Sequence, residues 1–239
     1  MSYIAFPNLP EKEVSVFIAD TSIENKIVIT PPSLDILPAG LRRHADLGIC
    51  IVSKDTAVCP PDSFLYYKEM LSPYGFTVLQ GNSSLQCNYP GDCAYNVGIV
   101  GKKCFLNKSV CDSLLYDILT SEGYEIINVK QGYCKCSICP IDENTLITGD
   151  KSIEKAALSA GMEVFFVRNE GIFLENYNNG FFGGCCGMAD SKTLLVNGNI
   201  NTFPDRKILT EFLNRKGINI KSVKKGVLTD IGSILPLIC

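Results

Sequence analysis

One order of elements recurs four times along this chain: strand, strand, helix, glycine, strand. The first pass runs through Leu47–Val52, Thr56–Val58, a helical stretch over 64–71, Gly75 and Phe76–Leu79. The second takes Ala94–Val100, Cys104–Leu106, a helix from about Cys111 to Thr120, Gly123 and Ile126–Val129. The third opens on Gln131–Pro140, read as a strand, and continues through Thr145–Thr148, a helix starting at Asp150, Gly161 and Val164–Val167. The fourth uses Gly183–Met188, Thr193–Val196, a helix over 208–213, Gly217 and Ile218–Ile220. Each glycine stands just past a helix, where a left-handed cap is expected. Asp62, Asp150 and Asp205 fall at or near helix starts, where a carboxylate can satisfy free amides. The cap glycines are 48, 38 and 56 residues apart, an approximate period that predicts a toroidal or stacked array. Outside the four units lie Val14–Ile18 and Ile27–Ile29 at one end and Val227–Leu237 at the other. The predicted arrangement has these ends meet to complete a fifth unit and close a ring, one domain spanning residues 1–239.

Composition narrows function more than fold. With 46% hydrophobic and 20% charged residues the chain can bury a sizeable core. A net charge of −3 without a basic cluster argues against nucleic acid or an anionic membrane as partner. No apolar run approaches the roughly 18 residues of a membrane span, and Met1–Pro7 lacks the basic and apolar regions of a signal peptide. A cytoplasmic protein is expected. Its twelve cysteines lie mostly within apolar strand or helix patterns, so they read as reduced, small buried hydrophobes that suit a reducing cytosol.

Four and a part units of this order, roughly 40 residues each, resemble the pentein fold, a five-bladed α/β propeller of ββαβ repeats whose ring is closed by the N- and C-terminal strands. That is the fold of the guanidino-group-modifying enzymes. His44-Ala45-Asp46-Leu47 resembles their His-x-Asp, and the run Tyr89-Pro90-Gly91-Asp92-Cys93-Ala94-Tyr95-Asn96-Val97-Gly98-Ile99-Val100 resembles their acidic first-strand segment. Gly-Tyr-x-Lys-Cys-Ser at 132–137, Gly-Gly-x-x-Gly at 183–187 and Asp-Ile-Gly-Ser-Ile-Leu-Pro at 230–236 are similar to an uncharacterised bacterial family assigned the same fold. The resemblance implies a cysteine thiolate that attacks a guanidinium carbon, a histidine that moves protons, and carboxylates that hold the planar cation. On this chain it implies a catalytic set of Cys136, His44 and Asp46, with Asp92, Asn96, Lys135, Ser137, Cys185 and Asp230 binding a cationic, guanidino-like small molecule. No cofactor is implied. The pattern departs from the enzymes in two places. His-x-Asp stands in the first full unit instead of the next-to-last, and the last unit has Gly-Ser-Ile-Leu-Pro where a cysteine is expected.

The residues carry their own arguments. On a strand, Cys134 and Cys136 would face one side and Tyr133, Lys135 and Ser137 the other. The charge of Lys135 would then lower the Cys136 thiol. His44 and Asp46 would share a strand face as an oriented acid–base pair, the carboxylate fixing the imidazole tautomer. Asp92 and Asn96 could hold a polar cation, although Tyr-Pro-Gly-Asp also reads as a turn. Gly183–Gly187 is either a second thiol site or a tight entrance where only small residues fit. Cys134, Cys136 and Cys139, with Cys185 or Cys186, raise a thiolate zinc or iron–sulfur site as a further reading, against which no second C-x₂-C exists and Cys134 and Cys139 would face opposite sides. The leading expectation is a cysteine-dependent hydrolase or transferase. The alternatives are a non-catalytic ring that binds a ligand or protein, and a thiolate metal protein.

Overall fold

The structure, a computed structural model, describes residues 16–238; Val14, Ser15 and Cys239 lie outside the described residues. Five three-stranded sheets follow the predicted order. The N-terminal strands β1 (Val16–Ile18) and β2 (Ile27–Ile29) come first. A single helical turn α1 (Ala45–Gly48) then precedes β3 (Cys50–Ile51), β4 (Thr56–Cys59), α2 (Pro61–Leu71) and β5 (Thr77–Gln80). The next unit is β6 (Gly98–Val100), β7 (Lys103–Leu106), α3 (Ser113–Ser121) and β8 (Glu125–Asn128). A second isolated turn α4 (Cys134–Ser137) leads to β9 (Ile138–Asp142), β10 (Thr145–Thr148), α5 (Lys151–Ser159) and β11 (Glu163–Phe166). The fourth unit is β12 (Cys186–Asp190), β13 (Thr193–Val196), α6 (Arg206–Arg215) and β14 (Asn219–Ser222), and β15 (Leu235–Ile238) ends the described chain.

In each full unit the middle strand pairs antiparallel with the first and parallel with the third, as β4 does with β3 and β5. A parallel neighbour needs a crossover, and the helix supplies it. The ends of the chain reproduce this topology without a helix, β1 pairing antiparallel with β15 and parallel with β2. The helices stop where the glycines were expected to stop them. Gly75, Gly123, Gly161 and Gly217 have φ of +80, +75, +72 and +71°. A Cβ at any of the four would meet nothing within 4 Å, so it is the left-handed backbone and not crowding that selects glycine.

Why the middle strands read as unbroken apolar runs is clear from where their side chains go. Alternate residues enter different hydrophobic clusters: Ala57 and Cys59 pack with Tyr67 and Leu71, whereas Val58 packs with Cys104, Leu106 and Leu115. Phe105 joins Ile138, Leu146 and Ile153, and Ile147 joins Leu194, Val196 and Leu209. Phe17 of β1 meets Leu195 of β13. Each of these clusters therefore lies between two sheets, and both faces of a middle strand are buried. Cys50, Cys59, Cys104, Cys139 and Cys186 are buried members of these clusters, and the cysteines of the described residues are free thiols.

Candidate active site

The segments leading into the first strands are helical turns, not strands. His44 is the N-cap of α1, Cys136 lies inside α4, and Gly183–Cys185 is one turn of 3-10 helix. The regular pairing of β6 begins only at Gly98, so Asp92 and Asn96 belong to irregular backbone. The predicted strand faces are corrected accordingly. A short apolar run buried on all sides has the same pattern whether it is extended or coiled into one turn. In α4 the turn is closed by Ser137 N–H donating to the Tyr133 carbonyl at 3.0 Å. Coiling sends the two thiols apart: Cys134 donates to the Gln131 carbonyl at 3.0 Å, while Cys136 reaches Asp46.

The turns meet around that thiol. Cys136 Sγ lies 3.1 Å from each Asp46 carboxylate oxygen and accepts from Asn96 Nδ2 at 3.3 Å. Asn96 also donates to the Asp46 carbonyl at 3.0 Å, and its Oδ1 accepts the Lys135 and Cys136 backbone N–H groups at 2.7 and 3.3 Å. The asparagine thus clamps α1 to α4, and its amide is used up in doing so. Ser233 donates to Asp46 Oδ2 at 2.6 Å and accepts from Lys135 Nζ at 2.9 Å. His44 completes the group: one atom each of His44, Asp46 and Cys136 lie within 4.8 Å of one another. Both His44 ring nitrogens are buried without a hydrogen-bond partner. Its nearest carboxylate on the other side, Asp230, is 3.9 Å away, too far for a hydrogen bond.

Asp230 is anchored from behind by the Phe181 and Gly232 backbone N–H groups at 2.8 and 3.0 Å. This explains the glycines. A Cβ on Gly184 would come within 2.0 Å of Asp230 Oδ1, one on Gly183 within 2.6 Å of the Cys136 carbonyl, and one on Gly187 within 1.9 Å of the Ile234 carbonyl. The Gly-Gly-x-x-Gly segment is a close-approach device, the tight entrance weighed from the sequence. Cys185 is fully buried and donates to the Phe181 carbonyl at 3.2 Å.

Burial sets the charges. It pulls the His44 imidazole below its ordinary value, against the pull of the Asp46 carboxylate. It lifts Asp46 as well, opposed by His44 and Lys135. Asp230 is raised to about 6 by burial, against its two backbone donors. The Cys136 thiol is pushed well above its usual value, first by burial and then by the Asp46 charge. The expected lowering by Lys135 is corrected here: the lysine points away, to Ser233, and the carboxylate beside the sulfur dominates. At rest the thiol is a donor to Asp46 and the imidazole is neutral.

A pocket of about 140 Å³ opens onto Cys136, His44 and Asp230. Its walls are Leu41, Leu47 and Leu174 with the aromatic side chains of Tyr133, Tyr177 and Phe181. Of the residues expected to bind substrate, Asp230 alone lines it. Asp92 is engaged by the Tyr133 hydroxyl at 2.6 Å and the Cys93 thiol at 3.1 Å, so it steadies an aromatic wall. Lys135 lines a separate cavity of about 360 Å³. Ser137 is buried with its hydroxyl unpartnered. Sequence reasoning missed the aromatic walls; it expected Ser233 only as part of a channel lining over 230–233, where the hydroxyl instead bridges Asp46 and Lys135. The signals were present in Gly132-Tyr133 and Gly232-Ser233, but nothing in the chain says that those segments converge.

The model of a Family of unknown function (DUF6873) matches residues 15–235. No curated protein matches the sequence. Among solved structures, a histidine-to-glycine dimethylarginine dimethylaminohydrolase, as its adduct with S-methyl-L-thiocitrulline, is similar at TM-score 0.53 and 12% identity, covering 88% of this chain and 92% of that one. The Pseudomonas aeruginosa DDAH, a cysteine-to-serine mutant complexed with citrulline, gives 0.52 at 11% identity, covering 90% and 81%. Inosamine-phosphate amidinotransferase from Streptomyces griseus gives 0.50 at 15%, covering 84% and 70%. These likenesses show the fold alone, a mixed α/β architecture of small three-stranded sheets. Among the described residues no helix is long and apolar enough to cross a membrane.

Proposed function

We propose that this chain, which belongs to the family of unknown function DUF6873, is an enzyme that cleaves a carbon–nitrogen bond of an amidinium or guanidinium compound through Cys136. The observation that carries the reading is the meeting of thiol, imidazole and carboxylate within 4.8 Å at the floor of a pocket. The five sheets are taken as blades of one closed propeller domain, because the clusters join each sheet to the next and Phe17 joins the last to the first. Free thiols throughout the described residues favour the reducing bacterial cytoplasm as its place of work.

The chemistry follows from the charges. A planar cation entering beside Asp230, with Asp46 buried behind the thiol, weakens the negative field that keeps the thiol protonated, so the substrate itself makes the thiolate accessible. The thiol proton passes to neutral His44 while sulfur bonds to the amidinium carbon. The imidazolium returns that proton to the departing nitrogen as the C–N bond breaks. Water then attacks the thiouronium or thioimidate carbon, giving one proton to His44, and the C–S bond breaks as the new hydroxyl loses its proton to solvent and leaves as the carbonyl product. The thiolate takes the proton back.

The test is peptide-resolved labelling by chloroacetamidine, a cationic guanidine-like electrophile, against neutral iodoacetamide. Selective chloroacetamidine labelling of Cys136 that is lost in His44→Ala is expected. Slow labelling with no preference among the thiols would leave a ligand-binding ring in place of an enzyme. A second reading has one observation in its favour, since the same three donor atoms are close enough to share a divalent cation. Stoichiometric zinc in protein purified without chelator is the result that would favour it.

A further inference from the structure

We infer that the substrate is a compact amidinium or guanidinium carrying an apolar substituent and no carboxylate, so that guanidino acids such as arginine are excluded. The inference rests on the reading of Cys136 as the nucleophile and narrows it. Three features of the pocket carry it. Its volume of about 140 Å³ is close to that of a cavity that holds one benzene molecule, about 150 Å³. A planar cationic head with a short hydrocarbon arm fits that space, and anything longer would have to run out over the exposed rim at Asn179.

Second, the lining has acceptors for the cation and nothing for an anion. Asp230 and His44, whose neutral ring has one unprotonated nitrogen, line the pocket, and no lysine or arginine does. Arg42 and Arg43 line a different cavity behind His44. Their guanidinium groups donate to the carbonyls of Leu37 and Pro31, both at 3.1 Å. Lys135 is turned away to Ser233. A substrate carboxylate would therefore lie among Leu41, Leu174 and Phe181 with no cationic side chain in contact, and would pay its desolvation.

Third, the wall that the substituent meets is aromatic. Tyr133 is held in place by Asp92 and packs at 6.1 Å between ring centroids against Phe181, so the wall offers aromatic surface for an alkyl group and a cation.

A matched pair of guanidines separates this inference from the reading beneath it. Propylguanidine and guanidinoacetate are alike in size and differ in the carboxylate. Each is titrated as a protectant of Cys136 against chloroacetamidine, in the full chain and in Asn179→Arg. Asn179 is exposed at the pocket rim, so the variant adds a cation without touching the core. Propylguanidine is expected to protect at least about tenfold better than guanidinoacetate in the native chain, and Asn179→Arg is expected to raise protection by guanidinoacetate alone. Equal protection by the two in the native chain would overturn the inference while leaving the nucleophile in place. Absence of Cys136 labelling, or protection by neither, would overturn the nucleophile reading and this inference with it.

Discussion

Two of the helical turns that head the sheets carry a buried thiol, and they differ in what the sulfur meets. Cys136 of α4 faces the carboxylate of Asp46 and the amide of Asn96, both from other units of the chain, and opens on a pocket. Cys185 of the 3-10 turn at 183–185 faces the carbonyl of Phe181 in its own segment. Burial raises both thiols well above their ordinary value. Burial therefore does not distinguish them. The charge of Asp230 raises Cys185 too, so what distinguishes them is direct contact with a carboxylate, which Cys136 has at 3.1 Å, together with an opening onto the pocket. The lesson is that a candidate nucleophile is made by groups remote in the chain, not by the lysine next to it.

The largest effect that could break this comparison is loss of labelling. Cys136→Ser should remove the fast chloroacetamidine-selective labelling at position 136, a loss on the order of a hundredfold in selective rate, leaving the slow labelling of other thiols such as the exposed Cys87. Cys185→Ser should leave it unchanged. Rates would be read by intact-protein mass spectrometry. If the Cys185 variant lost the reaction and the Cys136 variant kept it, the site would be wrongly placed.

Asp46→Asn gives a smaller effect whose sign is diagnostic. Removing the carboxylate removes one cause of the raised thiol, so neutral iodoacetamide should react with Cys136 about tenfold faster near neutrality, for a fall of about one pKa unit. The cationic reagent loses its counter-charge, so its advantage over iodoacetamide should shrink. Cys185 should respond to neither. A uniform change in both reagents would mean that the charge of Asp46 does not act on the cation.

The same contrast explains what the sequence made legible. The middle strands, the helices of the four units and their cap glycines could be read because each is decided locally. Thr145–Thr148 is buried along its length whatever lies beyond it, and Gly161 is needed for a left-handed backbone. Asp150 was readable as a cap because it accepts from Ser152 and Ile153, two and three residues on. The turns were not legible, because their conformation is decided by other turns. Four residues of α4 do not hold a helix alone. They are held by Asn96 accepting two of its N–H groups and by the close approach of Gly183. His44, Asp46 and Cys136 were singled out from residue chemistry and the structure brings them together, but Asn96 proved a clamp, and Ser233, expected only as one of a lining run at 230–233, proved a bridge.

Ser233 offers the finest test, because it spans both turns being compared. Its hydroxyl lies 2.6 Å from Asp46 Oδ2 and 3.0 Å from the Gly183 carbonyl. Having one proton, it gives it chiefly to the closer, charged acceptor. Its backbone sits at φ +73°, a region that costs a residue with a Cβ of order 1 kcal/mol and glycine almost nothing. Ser233→Ala keeps the strain and loses the bonds, whereas Ser233→Gly loses the bonds and relieves the strain. In urea unfolding the alanine variant should therefore be the less stable by about 1 kcal/mol. Both should shift Cys136 labelling alike, since both strip Asp46 of the same donor, and neither should change Cys185. Equal stability of the two variants would show that the left-handed serine is not strained. A labelling change confined to alanine would show that the hydroxyl does not act through Asp46.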